Sequence, residues 1–378
     1  MPTGAGQRSF IQIGIPLSYF SAKTRSYLLH KGIPFEERGP TLTEFAFTLQ
    51  RHTGARALPV LRTPEGEWLQ DTSVIIDTLE RRFPDRPALP HTPVQRFVAL
   101  LLELWVDELW VPLAMHTRWS HPENVPFFIE DAAQHMLPGL PLWLRRAAGR
   151  HVARQMQSYL EAVGVAPAQH AVMDRFLSVQ LDALEAHFRR HAFLLGDRPC
   201  LADYSLAGPL WAHIGRDPWP RRELIAPRPA LARWIERTMD PASATGELLA
   251  DDALPQTLDM ALDSALRDLL PWLRAACTAL RASPVLPAGN GHARRIFDPV
   301  EYPLGNGMHR RGVTSYSVWM LRRLLGDFRN QPPAAQQRVQ EWLGARNAEG
   351  ILTLDPPPAR RVGLAAAHVA AADAEGSA

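Results

Sequence analysis

The segment GIPLSYFSAKTRSYLLHKGIPF, residues 14–35, marks the point where an early strand gives way to a helix. The isoleucines just before it and at its start alternate with other residues, which is the period of a strand. Ser18 and Ser21 follow, and serine favours the first positions of a helix. Gly32 stands where a helix stop is expected, and IPFEER (33–38) has the pattern of a second strand. The segment therefore predicts a strand–helix–strand unit with two serines at its first junction.

The rest of the first ninety residues continues this order of short elements. TLTEFAFTLQRH (41–52) has helical spacing after a threonine. ALPVLRT (57–63) and EWLQ (67–70) are predicted strands, separated by a turn that contains proline and glycine. DTSVIIDTLERRFP (71–84) again places apolar residues at helical spacing. The order β-α-β-α-β-β-α predicts a small mixed sheet with helices packed on it, which is the thioredoxin-like fold.

Composition excludes several classes of protein. The chain has 378 residues, enough for two or three domains, and 46% of them are hydrophobic. The net charge of +2 argues against a nucleic-acid or membrane partner recognised through bulk charge. Cys200 and Cys277 form no C-x-x-C motif, so neither a disulfide framework nor a structural zinc site is expected. With no secretory signal and no long uninterrupted apolar run, the sequence predicts a soluble cytoplasmic protein.

Three pieces of the first domain together resemble the N-terminal domain of glutathione transferases. They are the opening segment (14–35), ALPVL (57–61) and LQDTSVIIDTLE (69–80). Their order and separations also match those of the family. The resemblance implies a glutathione site on this domain and an all-α domain after it.

Ser18 falls where several transferase classes keep a catalytic Ser or Cys, and the resemblance implies that role here. Backbone N–H groups and the positive end of the following helix favour an anion at this position. A hydroxyl there can donate to the glutathione thiolate. Lowering a thiol pKa of ~8.5 by ~2 units needs about 2.7 kcal/mol. The alternatives are that Ser18 or Ser21 only caps the helix, or that Ser21 contacts the thiol instead.

Pro59 matches the cis-proline of the family. The resemblance implies that the Leu58 backbone N–H and C=O turn outward and pair with the cysteinyl backbone of glutathione. The alternative is a trans proline at a strand edge. Arg56 lies where relatives often carry a base for the glycyl carboxylate, and a solvated arginine is the alternative.

Asp71 and Thr72 occupy the position of the family's Gln/Glu-Ser pair. The resemblance implies that the acid binds the γ-glutamyl ammonium. The hydroxyl and the N–H groups of the helix start would bind its carboxylate. Aspartate is one methylene shorter than glutamate and threonine is bulkier than serine, which puts the strength of binding in doubt. A helix cap is the alternative, and the two roles are compatible.

After the first ninety residues the patterns are mainly helical, and no alternating strand pattern of useful length appears. HTPVQRFVALLLELWVDELW (91–110) begins with Thr92 as its predicted N-cap. FLLGDRPCLADYSLAGPLWAH (193–213) resembles the segment in which the family starts a buried helix with a capping box. Cys200 would be the N-cap there, and Asp203 the third helical residue. We predict a folding role for this box.

HTRWSHPENVPFF (116–128) groups basic and aromatic residues. Arg118 and Trp119 are predicted to form a wall of the electrophile pocket. A proline-bounded loop with stacked aromatic residues is the alternative. No cysteine or carboxylate spacing supports a metal site.

The predicted domains are consecutive. Residues 1–90 form the thioredoxin-like, glutathione-binding domain, and residues 91–350 a larger all-α domain with an extension. Within it, VTSYSVWMLRRLLGDF (313–328) resembles a terminal segment of extended bacterial transferase-like proteins. Residues 351–378 are predicted to be a mobile tail, because GLAAAHVAAADAEGSA (363–378) is low in complexity.

The sequence as a whole predicts an α+β protein that acts as a glutathione transferase-like enzyme. It would activate the thiol of glutathione, its cosubstrate, for attack on a small hydrophobic electrophile. One alternative is glutathione-dependent lyase, dehalogenase or isomerase chemistry, and another is a non-catalytic binding protein of the same fold. The resemblance also implies a homodimer.

Overall fold

The structure, a computed structural model, describes residues 9–243, 245–287 and 293–374. These residues form two compact units. The first comprises the described residues of Met1–Ala88, Thr117–Gln157 and Asp203–Gly246, and the second those of Leu89–His116, Ser158–Ala202 and Glu247–Ala378. The units thus alternate along the sequence. The predicted consecutive limits, 1–90, 91–350 and 351–378, stay a prediction.

One small mixed sheet lies in the first unit, and two hairpins lie in the second. The sheet has the strand order β2-β1-β3-β4, in which β1 and β2 are parallel and the other pairs antiparallel. The strands are β1 Phe10–Ile13, β2 Phe35–Arg38, β3 Val60–Arg62, β4 Trp68–Gln70, β5 Ile296–Leu304, β6 Gly307–Thr314, β7 Ala359–Val362 and β8 Ala365–His368. The sheet confirms the α+β class and the predicted thioredoxin-like order.

Helices make up most of the remaining described chain. They are α1 Tyr19–Lys31, α2 Leu49–Thr53, α3 Thr72–Arg82, α4 Pro93–Trp105, α5 Val111–Trp119, α6 Asn124–His135, α7 Leu142–Ser158, α8 Pro167–Phe188, α9 Leu201–Pro209, α10 Pro218–Pro220, α11 Pro229–Arg237, α12 Asp259–Arg267, α13 Leu269–Arg281, α14 Tyr316–Arg329 and α15 Pro333–Gly344. Wider π-helical turns occur at Glu44–Thr48, Val106–Trp110, Leu210–Ile214 and Arg221–Ile225. Among the described residues, no helix is both long enough and apolar enough to span a membrane.

The first helix begins and ends as its sequence predicts. Ser18 is its N-cap, and Gly32 follows its last residue with a φ of 70°. That left-handed conformation suits glycine, and the Gly32 N–H bonds back to the carbonyls of Leu28 and Leu29. Ile13 and Val60 of the sheet form a fully buried apolar cluster with Leu49 of α2.

The N-terminus of α4 is held by a residue far away in sequence. Thr92 occupies the N-cap position, but its hydroxyl donates to the Gln95 side chain (3.1 Å). Asp252 Oδ1 instead accepts from the N–H groups of Val94 (2.9 Å) and Gln95 (3.0 Å). The capping role predicted for Thr92 therefore belongs to Asp252.

The second unit is not all-helical, which corrects the prediction for this part of the chain. Strands β5 and β6 form an antiparallel hairpin whose turn contains Gly305, with a φ of 59°. Pro299 and Pro303 lie within β5 and hide its pattern. A two-stranded hairpin tolerates them because each strand has an unpaired edge. The two loop residues, Gly305 and Asn306, form a known hairpin signal that the helical interpretation overlooked.

The described part of the predicted mobile tail also forms a hairpin, from β7 and β8. The Ala366 N–H donates to Ser315 Oγ (3.1 Å), and the Leu286 N–H donates to the His368 carbonyl (2.7 Å). Ala365 to Ala367 are buried. Alanine is small enough to let a strand pack closely against its neighbours. The alanine-rich sequence, which predicted a mobile tail, therefore forms ordered strands here. Residues 375–378 of this prediction lie outside the described residues.

Candidate glutathione site

Three segments of the first unit leave the sheet at the same edge. Ile13, the last residue of β1, is opposite Val60, the first residue of β3. Val60 is in turn opposite Gln70, the last residue of β4. Because neighbouring strands lie about 4.8 Å apart, the segments that continue from these residues start within about 10 Å of one another. These segments carry the residues predicted to bind glutathione.

Ser18 is half-buried at the start of α1. Its Oγ accepts a hydrogen bond from the Ser21 N–H (3.3 Å), which is the capping geometry. A serine hydroxyl also carries one donor hydrogen, which capping does not use. Ser18 can therefore cap the helix and donate to an anion at the same time.

Ser21 is completely buried, which contradicts its predicted contact with the ligand. Its Oγ has no hydrogen-bond partner within the described chain. The oxygen lies against β1, since a Cβ added at Gly14 would stand only 2.8 Å from it. Gln12 Nε2 donates to the Ser21 carbonyl (3.1 Å) and to Glu37 Oε1 (3.1 Å), which ties this turn of α1 to the sheet. A bound thiol has no access to Ser21 Oγ.

The Leu58–Pro59 peptide bond is cis, as predicted. Leu58 is half-buried and Pro59 is buried, immediately before β3. Within the described ranges, no hydrogen bond uses the Leu58 backbone N–H or C=O. Both groups are therefore available to pair with an extended ligand backbone.

Asp71 and Thr72 stand at the start of α3. Asp71 Oδ1 accepts from the N–H groups of Ser73 (2.9 Å) and Val74 (3.3 Å), so the carboxylate caps the helix. Thr72 is the first helical residue, and neither its hydroxyl nor its N–H bonds to another described residue. This helix start offers donors to a carboxylate and an acceptor to an ammonium group.

Arg56 is exposed three residues before the cis-proline. One of its guanidinium nitrogens donates to the Ala46 carbonyl (3.0 Å). This bond leaves most of its five N–H donors unused. Binding of the glycyl carboxylate by Arg56 stays a prediction.

Arg118 and Trp119 are both buried, which contradicts the prediction that they form a pocket wall. Arg118 is 3% exposed and Trp119 is 6% exposed. The Trp119 ring packs edge-on against Phe128, with 4.7 Å between centroids. The sequence could not show that both side chains point into the interior of the protein.

Arg118 instead holds the segment that precedes Ser18. Its guanidinium donates to the Leu17 carbonyl (2.9 Å) and to the Ala212 carbonyl (2.6 Å). It also forms a two-point ion pair with Asp217, at 2.7 and 3.0 Å. Asp217 is fully buried and has no sequence motif that marks it, since it lies 99 residues from its partner. Sequence reasoning therefore missed this anchor.

Over the residues that the structure describes, no group of three or more His, Cys, Asp or Glu side chains could hold a metal ion. Cys200 and Cys277 are both buried, and neither forms a disulfide with a described residue.

Comparison with known proteins decides the family. Residues 13–87 match the model of the glutathione S-transferase N-terminal domain, and residues 180–237 match that of the C-terminal domain. These two parts of the chain belong to the N- and C-terminal domains of the glutathione S-transferase superfamily. The first match contains Ser18, Pro59 and Thr72, so the edge of the sheet described above lies in the part that the superfamily shares.

Solved glutathione S-transferases are similar to this chain at low identity. One from Methylobacterium radiotolerans, solved with glutathione sulfonate, is 22% identical, with 65% of this chain and 100% of that chain covered and a TM-score of 0.38. A GST-like protein from Pseudomonas syringae is 18% identical, with 78% and 83% covered and a TM-score of 0.41. One from Ceriporiopsis subvermispora, in complex with glutathione, is 17% identical, with 61% and 98% covered and a TM-score of 0.41. The assignment to the superfamily rests on the two family models.

Proposed function

We propose that this protein is a glutathione transferase-like enzyme that activates the thiol of its cosubstrate glutathione through Ser18. The observation that carries the proposal is a set of unused hydrogen-bonding groups at one edge of the sheet. They are the Ser18 hydroxyl hydrogen, the Leu58 backbone and the Thr72 hydroxyl and N–H. Glutathione is an extended peptide with an anionic end, and these groups match its hydrogen-bonding groups in kind.

Each group has a role in the proposed complex. The Leu58 N–H and C=O pair with the cysteinyl backbone of glutathione like an added strand. Thr72 and the first N–H groups of α3 bind the γ-glutamyl carboxylate, and Asp71 accepts from its ammonium group. Arg56 binds the glycyl carboxylate from the segment before Pro59.

The thiol then lies beside Ser18 at the start of α1. A hydrogen bond to a charged group contributes about 1.5–3 kcal/mol. A helix terminus adds about 0.3–1 kcal/mol. Together these terms are close to the ~2.7 kcal/mol that lowers a thiol pKa by ~2 units. The thiolate so formed attacks a small hydrophobic electrophile.

Two alternatives share part of this scheme. Glutathione-dependent lyase, dehalogenase or isomerase chemistry uses the same thiolate on a different electrophile. A non-catalytic binding protein would keep the Leu58 and Thr72 contacts but would not need Ser18 as a donor. The proposal includes a cytoplasmic homodimer, in line with the family.

Calorimetry with glutathione tests binding, and turnover of a generic aryl halide tests chemistry. We expect Ser18→Ala to lower kcat/KM about 10- to 100-fold, because it removes a donor to the thiolate, while the glutathione Kd changes less than threefold. Ser21→Ala is the matched control, one turn along α1, and should retain activity. Absence of binding at millimolar glutathione would refute the proposal. Binding without Ser18-dependent turnover would favour the non-catalytic alternative.

A further inference from the structure

A pocket of about 670 Å³ lies within the second unit, bounded by α8, α12 and the turn between β5 and β6. Phe176 and Val179 from α8, with Met260 from α12, form its apolar wall. Val179 and Met260 are about half exposed, so the wall offers apolar surface to a ligand. None of the candidate glutathione-site residues lines this pocket.

Two lining residues bring charges of opposite sign to the pocket. Arg175 is exposed on α8, and one of its guanidinium nitrogens lies 4.0 Å from where a Cβ added at Gly307 would stand. Asp263 is exposed on the other helix, α12. Across the described ranges, neither side chain forms an ion pair or a hydrogen bond. Both side chains are therefore available for hydrogen bonds to a ligand, and Asp263 in addition lies near enough to Arg267 to help raise the pKa of that arginine.

The remaining charged group of the lining is already neutralised. Arg267 Nε donates to Oδ1 of Asp268 at 2.9 Å, and that aspartate is fully buried. The pair of unlike charges that a ligand meets is thus Arg175 and Asp263.

Gln180 adds an independent indication of a ligand. It lines the pocket and is only 3% exposed. Its Oε1 is buried without a partner, and its amide makes no hydrogen bond to any described residue. A buried amide without a partner costs about 1–3 kcal/mol. Oε1 itself is closed to a ligand, so the group of Gln180 that can meet one is the amide nitrogen Nε2, which can donate to a ligand carbonyl.

We infer that this pocket binds a short zwitterionic peptide with apolar side chains. The peptide carboxylate pairs with Arg175 and its ammonium group with Asp263, from opposite helices. Between these ends a peptide carbonyl accepts from Gln180 Nε2, and the side chains pack against Val179 and Met260. A pocket of this volume accommodates more than one amino-acid residue.

The dipeptide Leu-Leu is the probe, and calorimetry on the full chain is the measurement. We expect saturable binding that Arg175→Gln and Asp263→Asn each weaken at least tenfold, since each removes one charge pair. Gln180→Leu, close in volume, should weaken binding several-fold by removing the amide. Arg190→Gln and Asp182→Asn are matched controls, because neither residue lines the pocket, and both should bind as the unaltered chain does.

Blocked peptides separate the two charges. N-acetyl-Leu-Leu has no ammonium group, so it should bind at least tenfold more weakly and be indifferent to Asp263→Asn. Leu-Leu amide should behave in the same way towards Arg175→Gln. The inference is overturned by no binding at ~10 mM Leu-Leu, or by equal affinity for free and blocked peptides. Binding that Thr72→Val abolishes and Arg175→Gln leaves intact would assign the peptide to the glutathione site and overturn it as well.

Discussion

Ser18 and Ser21 are one helical turn apart, yet they lie in opposite environments. Ser18 is half-buried at the start of α1, whereas Ser21 is completely buried beside Gly14, the residue that follows β1. The Gly14–Ser21 contact explains the difference, because glycine leaves just enough space for the Ser21 hydroxyl. The sequence alone did not decide which of the two serines faces the ligand site. The packing of the folded chain distinguishes their roles.

Ser21→Ala is expected to keep or raise stability. The hydroxyl is buried without a partner, so its removal relieves a desolvation penalty of up to about 1 kcal/mol. Ser18→Ala should instead lower the free energy of unfolding by about 1 kcal/mol, because it removes a helix cap. Urea unfolding of the two variants measures both effects. A loss above 1 kcal/mol in Ser21→Ala would mean that the Ser21 hydroxyl is hydrogen-bonded in the folded protein, contrary to this expectation.

Thr72→Val is expected to weaken glutathione binding about tenfold. The change preserves shape and removes the hydroxyl that the proposal assigns to the γ-glutamyl carboxylate. Calorimetry provides the measurement. Thr78→Val on the same helix is the control, because the proposal gives Thr78 no contact with glutathione. The Thr78 hydroxyl accepts a hydrogen bond from the Arg81 guanidinium at 3.5 Å. Equal Kd values for the two variants would remove Thr72 from the site.

Arg118→Met is expected to lower the free energy of unfolding by about 3–5 kcal/mol, because it leaves Asp217 buried without its charge partner. The double variant Arg118→Met with Asp217→Leu should recover part of this loss, since it removes both charges. Urea unfolding of the single and double variants measures the coupling. Additive losses would show that the ion pair contributes little.

At this scale the sequence could predict residues that stand in contiguous motifs. Ser18, Pro59 and Thr72 are recognisable because each lies in a short segment with a fixed order of residue types. Arg118 and Asp217 could not be paired, since only folding brings them together across 99 residues.

The start of helix α4 is stabilised by a residue that is distant in sequence. Its first N–H groups bond to Asp252, which adopts a φ of 68°. A left-handed backbone and a short polar side chain are typical of aspartate and asparagine. Local sequence indicated Thr92 instead, because capping rules consider only neighbours along the chain.

Asp252→Ala is expected to lower the free energy of unfolding by about 1–2 kcal/mol, through loss of the cap and strain at a positive φ. Asp252→Asn keeps an acceptor oxygen and tolerates this φ, so it should lose well under 1 kcal/mol. Thermal unfolding compares the two. Similar losses in both variants would point to the Asp252 charge, which lies 3.4 Å from Arg338, rather than to capping.

For the molecule as a whole, the sequence predicted the α+β class and the four-stranded sheet. It missed the two hairpins of the second unit. The β5–β6 hairpin contains prolines and the β7–β8 hairpin is rich in alanine, so neither shows the alternation on which strand prediction relies. These strands are stabilised by contacts with helices of the same unit. Such contacts join residues far apart in sequence, so a search for local patterns does not detect them.

Acid is expected to destabilise the second unit before carboxylates titrate. Burial lowers the pKa of both His187 and His309 from 6.5 to about 4. His309 donates from Nε2 to the Gly164 carbonyl (3.0 Å) and accepts at Nδ1 from the Tyr302 hydroxyl (2.9 Å), which suits the neutral ring. As pH falls through 6.5 the unfolded chain takes up protons first, so the free energy of unfolding falls until pH ~4.

Between pH 7 and pH 5 we expect each of these histidines to lower the free energy of unfolding by about 2 kcal/mol. Urea unfolding at the two pH values measures the loss. His309→Gln should show a smaller pH dependence, and His91→Gln, an exposed control, should match the unaltered chain. An unchanged pH dependence in His309→Gln would mean that this histidine is not buried neutral.

The alternation of the two units has a consequence for synthesis on the ribosome. Six stretches of chain joined by five crossings build the two units, so neither is complete until late in translation. The segment before Ser18 is fixed by Arg118, which is itself fixed by Asp217. Ser26 Oγ in α1 donates to the Thr238 carbonyl (2.7 Å). The part of the chain made first therefore acquires its final geometry only after residues 217–238 have emerged.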